Sequence, residues 1–374
     1  MNPKICLLAN SLTYPQGGGH RWAYLNLVLG LRALGCEVIW LEAVDPQLQQ
    51  IQRGEFVAAL KKHLQPYSLA RKLALCSSTE QPLKGADAED WLDLDAVTDA
   101  DLLLNLAYDL PAKVVRRFRR SALLDIDPGL LQIWVSQGAI TLAPHDLYFT
   151  TGETVGKPGA GLPDLGLRWQ HFPPVVALDW WPLRPAPVHA PFTTVTHWGD
   201  AWVEYEGESY SNTKRDGFLP FLDLPRHTRQ QLELAVFLGD DEPERQNWEA
   251  HGWRIRDPYT VAATPWEYQH YIQNSKGEFS CVKPSCVRFQ NAWISDRTLC
   301  YLASGKPAVV QHTGPSQLQP EAAGLFRFRD LAQAVRQLET AANDYERHCR
   351  LARALVEEHF DARKVLMRML ERAL

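Results

Sequence analysis

Apolar and polar positions follow two different periods at the start of the chain. Residues 4–9 read as an apolar strand, and residues 10–19 form a polar segment rich in glycine. In residues 20–34 apolar side chains occur at positions 24, 25, 27, 28, 31 and 34, which is the spacing of one helix face. Gly35 ends this pattern, and a second strand pattern covers residues 37–41. The order predicts a strand, a helix and a second strand parallel to the first.

The same alternation continues along the chain and divides it into two α/β halves. Gly and Pro are concentrated in residues 156–188, a composition that marks a boundary or hinge. We therefore predict one domain over residues 1–180, a second over residues 181–345, and closing helices over residues 346–374. The further strands that the pattern predicts are residues 102–106, 122–126 and 147–150 in the first half and residues 192–197, 232–238 and 253–256 in the second.

Composition narrows the class of protein. The chain has 374 residues, 45% of them hydrophobic and 22% charged, as in a soluble globular protein with two cores. Its net charge of -5 predicts that nucleic acid is not a partner. Seven scattered cysteines favour a reducing compartment without disulfides, which predicts a cytoplasmic location. No apolar stretch is long enough to predict an integral membrane segment.

The segment from Cys281 to Gly314 predicts an anion pocket. A polar loop that ends at Ser295 or Asp296 caps a helix running to about Ser304, so the positive helix end faces the loop. Gly305 stops this helix, and an apolar strand at residues 308–310 leads to a second polar loop with Thr313 and Gly314. A ligand with a diphosphate group suits this pocket, although the same order of elements also occurs in α/β segments that bind nothing.

A glycine loop at Gly17, Gly18 and Gly19 lies between the first strand and the first helix. Trp22 stands where a dinucleotide fingerprint requires its third glycine, and the chain has no P-loop motif, so neither class of site is predicted. His20, at the mouth of the loop, is a candidate general base for an acceptor hydroxyl. It equally fits a histidine that bonds to backbone near the helix start.

Four segments together resemble GT-B-type glycosyltransferases of the group 1 kind. Residues 17–38 look like the opening loop and helix of that family, and residues 298–310 are similar to its helix and strand at the sugar-donor site. Thr313 and Gly314 match the loop of small residues that follows, and residues 332–361 match the closing helices. The resemblance implies an α/β fold of two Rossmann-like, doubly wound domains that face a cleft. The first domain would hold the acceptor and the second a nucleotide-sugar donor.

The resemblance fails at one motif. The retaining members carry Glu-x7-Glu, whereas this chain has Ala292 and Cys300 at those positions. A cysteine cannot replace a carboxylate that accepts two hydrogen bonds from a diol, so retaining stereochemistry is not implied. Asp296 and Glu321 are the nearest carboxylates in sequence that could contact ribose instead. For Asp296 the helix cap is the favoured role, and for Glu321 the alternative is a solvated surface position.

The remaining residues predicted to contact the sugar donor are three cations, one aromatic residue and two glycines. Arg297 and Lys283 are best placed in sequence to neutralise a diphosphate leaving group, and Lys214 is a second choice that could equally lie in a solvated charged loop. Trp198 follows the first strand of the second domain, where it could stack on a base or wall the sugar pocket. Gly18 and Gly19 would approach the sugar donor from the glycine loop.

The sequence therefore predicts a glycosyltransferase that moves a sugar from a nucleotide diphosphate donor to a small-molecule or glycan acceptor. No cofactor and no metal are expected, because no Asp-x-Asp pair lies at a strand end of the second domain. Two alternatives stay open. One is a nucleotide-sugar epimerase or hydrolase on the same plan, and the other is a non-catalytic binding subunit.

Overall fold

A computed structural model describes residues 2–79, 81, 83, 91–199, 202–320 and 323–374. The chain forms two compact units. Unit 1 comprises residues Met1–Pro158, Leu162–Pro173 and Ala362–Leu374, and unit 2 comprises Gly159–Gly161 and Pro174–Asp361.

Unit 1 contains a seven-stranded sheet in which every strand pairing is parallel. The strand order β3-β2-β1-β4-β5-β6-β7 reverses direction between β1 and β4. The strands are short apolar runs because a parallel sheet is covered on both faces. They are β1 (Lys4–Ala9), β2 (Glu37–Val44), β3 (Leu73–Ser77), β4 (Leu102–Asn105), β5 (Ser121–Asp125), β6 (Leu147–Thr150) and β7 (Trp169–His171).

The helices of unit 1 connect these strands. In chain order they are α1 (Gly18–Ala33), α2 (Gln50–Leu64), α3 (Ala112–Val115) and α4 (Leu130–Ser136). The predicted first strand, first helix and second strand are confirmed as β1, α1 and β2, and β1 pairs in parallel with β2.

Unit 2 contains a second sheet with only parallel pairings. Its order is β12-β11-β8-β13-β14-β15, so the reversal lies between β8 and β13. The strands are β8 (Phe192–Thr196), β11 (Leu232–Val236), β12 (Arg254–Arg256), β13 (Gly277–Ser280), β14 (Ala308–Gln311) and β15 (Leu325–Phe328), with a separate antiparallel hairpin of β9 (Trp202–Tyr205) and β10 (Glu208–Ser211).

The helices of unit 2 enclose a core of aromatic and aliphatic side chains against this sheet. They are α5 (Lys214–Phe218), α6 (Leu224–His227), α7 (Glu242–Ala250), α8 (Pro258–Val261), α9 (Pro265–Gln273), α10 (Pro284–Phe289), α11 (Asp296–Ala303), α12 (Leu331–Asn343) and α13 (Tyr345–His359).

The last helix, α14 (Ala362–Ala373), belongs to unit 1, where it packs closely against α1. A Cβ atom at Gly30 of α1 would lie 2.5 Å from the Cβ of Ala362, so glycine is required for this approach. The predicted domain limits differ from this division, because α13 remains in unit 2. Its Arg353 donates hydrogen bonds of 2.8 Å to the carbonyl groups of Ala303 and Trp181, which ties both segments to unit 2.

Candidate functional site

The carboxyl ends of the unit 2 strands form the first candidate region. In an open α/β sheet, ligands bind beyond these ends at the point where strand order reverses. Here that point lies between β8 and β13, so the segments that follow Thr196 and Ser280 flank it. Trp198 and Lys283 lie in these two segments. Lys283 occupies the position before α10 and is half-buried.

Helix α11 begins close to this reversal, as the sequence predicted. Ser295 is its N-cap, and the Ser295 hydroxyl accepts a hydrogen bond of 3.3 Å from the Arg297 backbone N–H. Asp296 is the first helical residue and is half-buried, so the expectation that Asp296 is the cap is corrected. The predicted end is confirmed, because α11 reaches Ala303 and Gly305 follows in the left-handed region with φ +72°.

Two protein acceptors hold the guanidinium of Arg297. Its Nε donates to Glu278 Oε1 at 2.8 Å, and its Nη1 donates to the Val195 carbonyl at 3.0 Å. Burial by itself lowers the pKa of Arg297, but the charge and hydrogen bond of Glu278, together with the neighbouring Tyr268 and Tyr301, raise it above its usual value. These contacts give Arg297 a structural role, whereas its role in neutralising a diphosphate stays a prediction. Arg297 ties α11 to β8 and β13 on either side of the reversal.

Thr313 and Gly314 hold the loop before α11 in place. The Thr313 hydroxyl donates to the Trp293 carbonyl at 2.7 Å, and the Thr313 carbonyl accepts from the Ala292 N–H at 2.9 Å. Gly314 has φ +135°, and a Cβ atom there would lie 2.5 Å from the Gln290 carbonyl oxygen. The close approach of the two loops therefore requires glycine at this position.

The two positions that correspond to Glu-x7-Glu lie in buried surroundings. Cys300 is fully buried within α11, and Ala292 is 2% exposed with φ +55°. Asp296 lies one helical turn before Cys300 and is half-buried. Glu321, the other carboxylate considered for ribose, lies outside the described residues.

Trp198 is half-buried and packs against the core of unit 2. Its ring lies 5.6 Å from the ring of Phe218 and 5.6 Å from that of Trp248, centroid to centroid. These contacts cover part of the ring, and the contact of Trp198 with a base or sugar stays a prediction. Its backbone carbonyl accepts a hydrogen bond of 2.9 Å from the N–H of Lys214, the first residue of α5.

Buried polar atoms near the reversal have no partner within the described residues. They are Thr196 Oγ1, Trp198 Nε1, Asn212 Nδ2 and Glu278 Oε2. Asn212 also joins the two flanking segments, because its Oδ1 accepts the Ser285 N–H at 2.9 Å. Native proteins satisfy most buried polar groups, so this group of atoms is consistent with contacts to a ligand or water. The sequence analysis missed Thr196 and Asn212, whose residue types are common in loops.

The link from α11 to β14 contains a buried lysine. Lys306 is fully buried, and its Nζ has no hydrogen-bond partner in the described chain. Burial lowers the pKa of Lys306 to about 8, and the neighbouring Cys349 only partly opposes this effect.

The glycine loop of unit 1 starts helix α1. Gly17 is its N-cap, Gly18 and Gly19 are its first two residues, and His20 is the third. The His20 Nε2 lies 2.5 Å from the Asn10 carbonyl. A carbonyl oxygen only accepts hydrogen bonds, so Nε2 carries the proton in this contact and the neutral ring has its lone pair on Nδ1. A base at His20 would therefore act through Nδ1.

A buried carboxylate organises the start of this loop. Glu42 accepts hydrogen bonds from the Ser11 N–H at 2.9 Å, the Leu12 N–H at 3.3 Å and the Trp40 indole at 2.8 Å. Arg21 of α1 is also fully buried. Burial lowers the pKa of Arg21 to about 10, while the nearby charge of Glu42 opposes this change. The sequence analysis did not identify Glu42, because a single acidic residue in a strand pattern carries no local signal.

A cavity of about 350 Å³ opens at the carboxyl ends of β1 and β2. Its polar lining includes Thr13, Asp45, Gln47, Gln49 and Gln52, and none of its lining residues is a lysine or arginine. Amide and carboxylate groups suit the hydroxyl groups of an uncharged ligand.

A second buried carboxylate lies at the end of β5. Asp125 accepts hydrogen bonds from Gln132 Nε2 at 2.8 Å, Thr150 Oγ1 at 2.9 Å and the Tyr108 hydroxyl at 3.3 Å. Burial raises the pKa of Asp125 to about 6, against the opposing effect of the Gln132 and Thr150 hydrogen bonds. This network joins the segments that follow β4, β5 and β6.

Comparison with known proteins shows the fold. No family model and no curated protein match the sequence. Among solved structures, an alpha-glucosyltransferase in complex with UDP-glucose and DNA containing an abasic site matches with a TM-score of 0.61 and 12% identity, covering 100% of both chains. Anabaena HepE in complex with UDP and glucose matches with a TM-score of 0.60 and 11% identity, covering 99% of both chains. The chain has the GT-B fold.

The GT-B comparison corrects one expectation about partners. The sequence analysis excluded nucleic acid on the basis of net charge, and that exclusion is wrong. Three solved structures of alpha-glucosyltransferase with this fold contain DNA. A chain with this fold can therefore bind nucleic acid, and net charge is not sufficient to exclude this class of partner.

In the described part of the chain, none of the helices is both long and apolar enough to cross a bilayer. No group of three or more His, Cys, Asp or Glu side chains among these residues is arranged to hold a metal ion.

Proposed function

We propose that this chain is a glycosyltransferase that binds a nucleotide diphosphate sugar at the carboxyl edge of unit 2. The observation that carries the proposal is the start of α11, capped by Ser295, next to the strand reversal between β8 and β13. A helix N-terminus at a strand reversal offers backbone N–H groups and a positive potential to a diphosphate. The GT-B fold supports the same assignment.

The leaving diphosphate needs positive charge, and Lys283 and Lys214 are the side chains we propose for it. Lys283 is the N-cap of α10, which follows β13, and Lys214 is the first residue of α5, which follows the β9–β10 hairpin after β8. Transfer would require no metal, because side-chain cations and the α11 terminus stabilise the developing charge. Asp296 is the residue that we propose for a donor hydroxyl.

UDP-glucose is the first donor to test, since two of the similar structures contain UDP-glucose. We expect Lys283→Ala to weaken UDP binding in calorimetric titration by about 10-fold or more, the loss expected for one charge-assisted hydrogen bond. The control is Arg350→Ala, which removes one charge from an exposed position of α13. Equal affinity in wild type and Lys283→Ala would contradict the proposed site.

In unit 1, we propose that His20 removes the proton from an acceptor hydroxyl through Nδ1, if transfer inverts the anomeric centre. His20→Ala should then lower the transfer rate by about 100-fold or more and leave UDP affinity unchanged. The acceptor assay should include DNA as well as neutral oligosaccharides, because solved structures of this fold contain DNA. A full transfer rate in His20→Ala would exclude the base.

A binding subunit without catalytic activity is the second candidate, because Ala292 and Cys300 replace both carboxylates of Glu-x7-Glu. Incubation with UDP-glucose and candidate acceptors separates the two functions. Glycosylated product supports the transferase, bound but unchanged UDP-glucose supports the binding subunit, and an altered sugar without an acceptor supports an epimerase or hydrolase.

Seven cysteines without disulfides support the cytoplasm as the compartment that we propose.

A further inference from the structure

Unit 2 has a basic cavity of about 350 Å³ at the amino ends of β11 and β12. It lies at the opposite edge of the sheet from the start of α11, because Leu232 begins β11 and Arg254 begins β12. The lining includes Arg226, Arg229, Arg254 and His251, and none of its residues is an aspartate or glutamate. The lining thus has three arginines and no acid, although the chain has a net charge of -5.

The three arginines differ in how they are held. Arg226 is fixed, because its Nη1 donates to Asp223 Oδ1 at 2.8 Å and its Nη2 donates to the Ala250 carbonyl at 3.0 Å. Arg229 and Arg254 are exposed, and within the described residues neither guanidinium forms a hydrogen bond or an ion pair. Their donors are therefore available to a ligand.

A carboxylate of α12 contacts the loop that contains Arg229. Glu339 accepts hydrogen bonds from the Thr228 hydroxyl at 2.5 Å, the Arg229 N–H at 3.0 Å and Gln230 Nε2 at 3.2 Å. These bonds fix the backbone on which Arg229 lies.

We propose that this cavity binds the phosphate group of a small soluble molecule, at a site separate from the nucleotide-sugar site. Guanidinium groups match the geometry of phosphate oxygens and form charge-assisted hydrogen bonds with them. The volume fits a ligand of about the size of a sugar phosphate, because pockets for small molecules begin at roughly 300 Å³. Binding here leaves the carboxyl edge of the sheet open.

The test is calorimetric titration of the full chain with inorganic phosphate and with glucose 6-phosphate. We expect Arg229→Ala/Arg254→Ala to weaken both ligands at least 10-fold. The control, Arg336→Ala/Arg347→Ala, removes the same charge from exposed positions of α12 and α13 and should bind as the wild type does. Both sites of substitution are exposed, so the melting temperature without ligand should be unchanged.

Three results would overturn the proposal. The first is that the wild type does not bind phosphate, or that both double variants bind it equally well. The second is that the arginines are needed only for binding to vesicles containing phosphatidylglycerol, which would assign the cavity to a lipid headgroup. The third is that UDP displaces phosphate from the wild type, which would make the cavity part of the nucleotide site.

Discussion

Substitutions in the buried ion pair between Arg297 and Glu278 distinguish a structural role of Arg297 from a role in binding phosphate. The Arg297 side chain is 10% exposed and the Glu278 side chain is 0% exposed. The distance from Arg297 Nε to Glu278 Oε1 is 2.8 Å. Three variants test it, namely Arg297→Met, Glu278→Leu and the double variant. Methionine and leucine approximate the volumes of the side chains they replace, so the loss of charge is the main change.

The expected magnitudes follow from what each variant leaves unpaired. Either single substitution leaves one buried charge without its partner, which costs about 3–5 kcal/mol. The double substitution removes both charges and leaves mainly the Val195 carbonyl, which accepted the Arg297 Nη1 at 3.0 Å, without its partner. One buried acceptor without a partner costs about 1–3 kcal/mol. The double variant should therefore be more stable than either single variant.

Urea unfolding followed by tryptophan fluorescence measures these free energies, and titration with UDP measures the functional effect. If Arg297 only connects α11 to the sheet, the double variant binds UDP with nearly the affinity of the wild type. Two results would refute the structural role. One is a double variant whose loss of stability equals the sum of the single losses, and the other is a folded double variant that binds UDP at least 10-fold more weakly.

Three further predictions concern buried charges and one glycine. The pKa of Asp125 is raised from 3.8 to about 6, so its contribution to stability is fully present below pH 3.8 and is lost as pH rises through 6. This loss of stability is up to about 3 kcal/mol. Urea unfolding at several pH values should show it for the wild type and not for Asp125→Asn. The pKa of Lys306 is lowered from 10.5 to about 8, so the unfolded chain binds more protons between these values and stability rises with pH across them. Lys306→Met should therefore raise the melting temperature at pH 7. Gly314→Ala should cost about 1–3 kcal/mol more than Gly138→Ala in the same unfolding assay, because both glycines have positive φ but only Gly314 has a backbone oxygen within 2.5 Å of the added Cβ.

Local patterns were sufficient to predict the elements that begin each unit. The apolar run at β1, the helical spacing of α1 and the glycine at Gly35 are all read from neighbouring residues, and the structure confirms them. Helix α11 was predicted for the same reason, since its cap at Ser295 and its stop at Gly305 are local signals. Strand β7, with three half-buried residues, was missed, because a run of three carries too little periodicity.

Side-chain roles at the site depended on residues far apart in sequence. The distance along the chain from Arg297 to Val195 is 102 residues, and from Thr193 to Tyr301, whose hydroxyl groups lie 2.6 Å apart, it is 108 residues. Nothing near Arg297 in the sequence distinguishes a phosphate ligand from the partner of a buried glutamate. The structure decided this because Glu278 lies fully buried on the neighbouring strand β13.

The sequence by itself determined the two α/β halves, the glycine loop before α1 and the capped helix α11, because period, capping and turn chemistry act between near neighbours. Only the tertiary structure decided that Arg297 is buried against Glu278, that Trp198 packs against the core, that Asn212 joins two segments of the candidate site, and that Arg229 and Arg254 line one cavity. These outcomes depend on which strands become neighbours in the sheet. That order is set by packing of the whole chain, which no local pattern records.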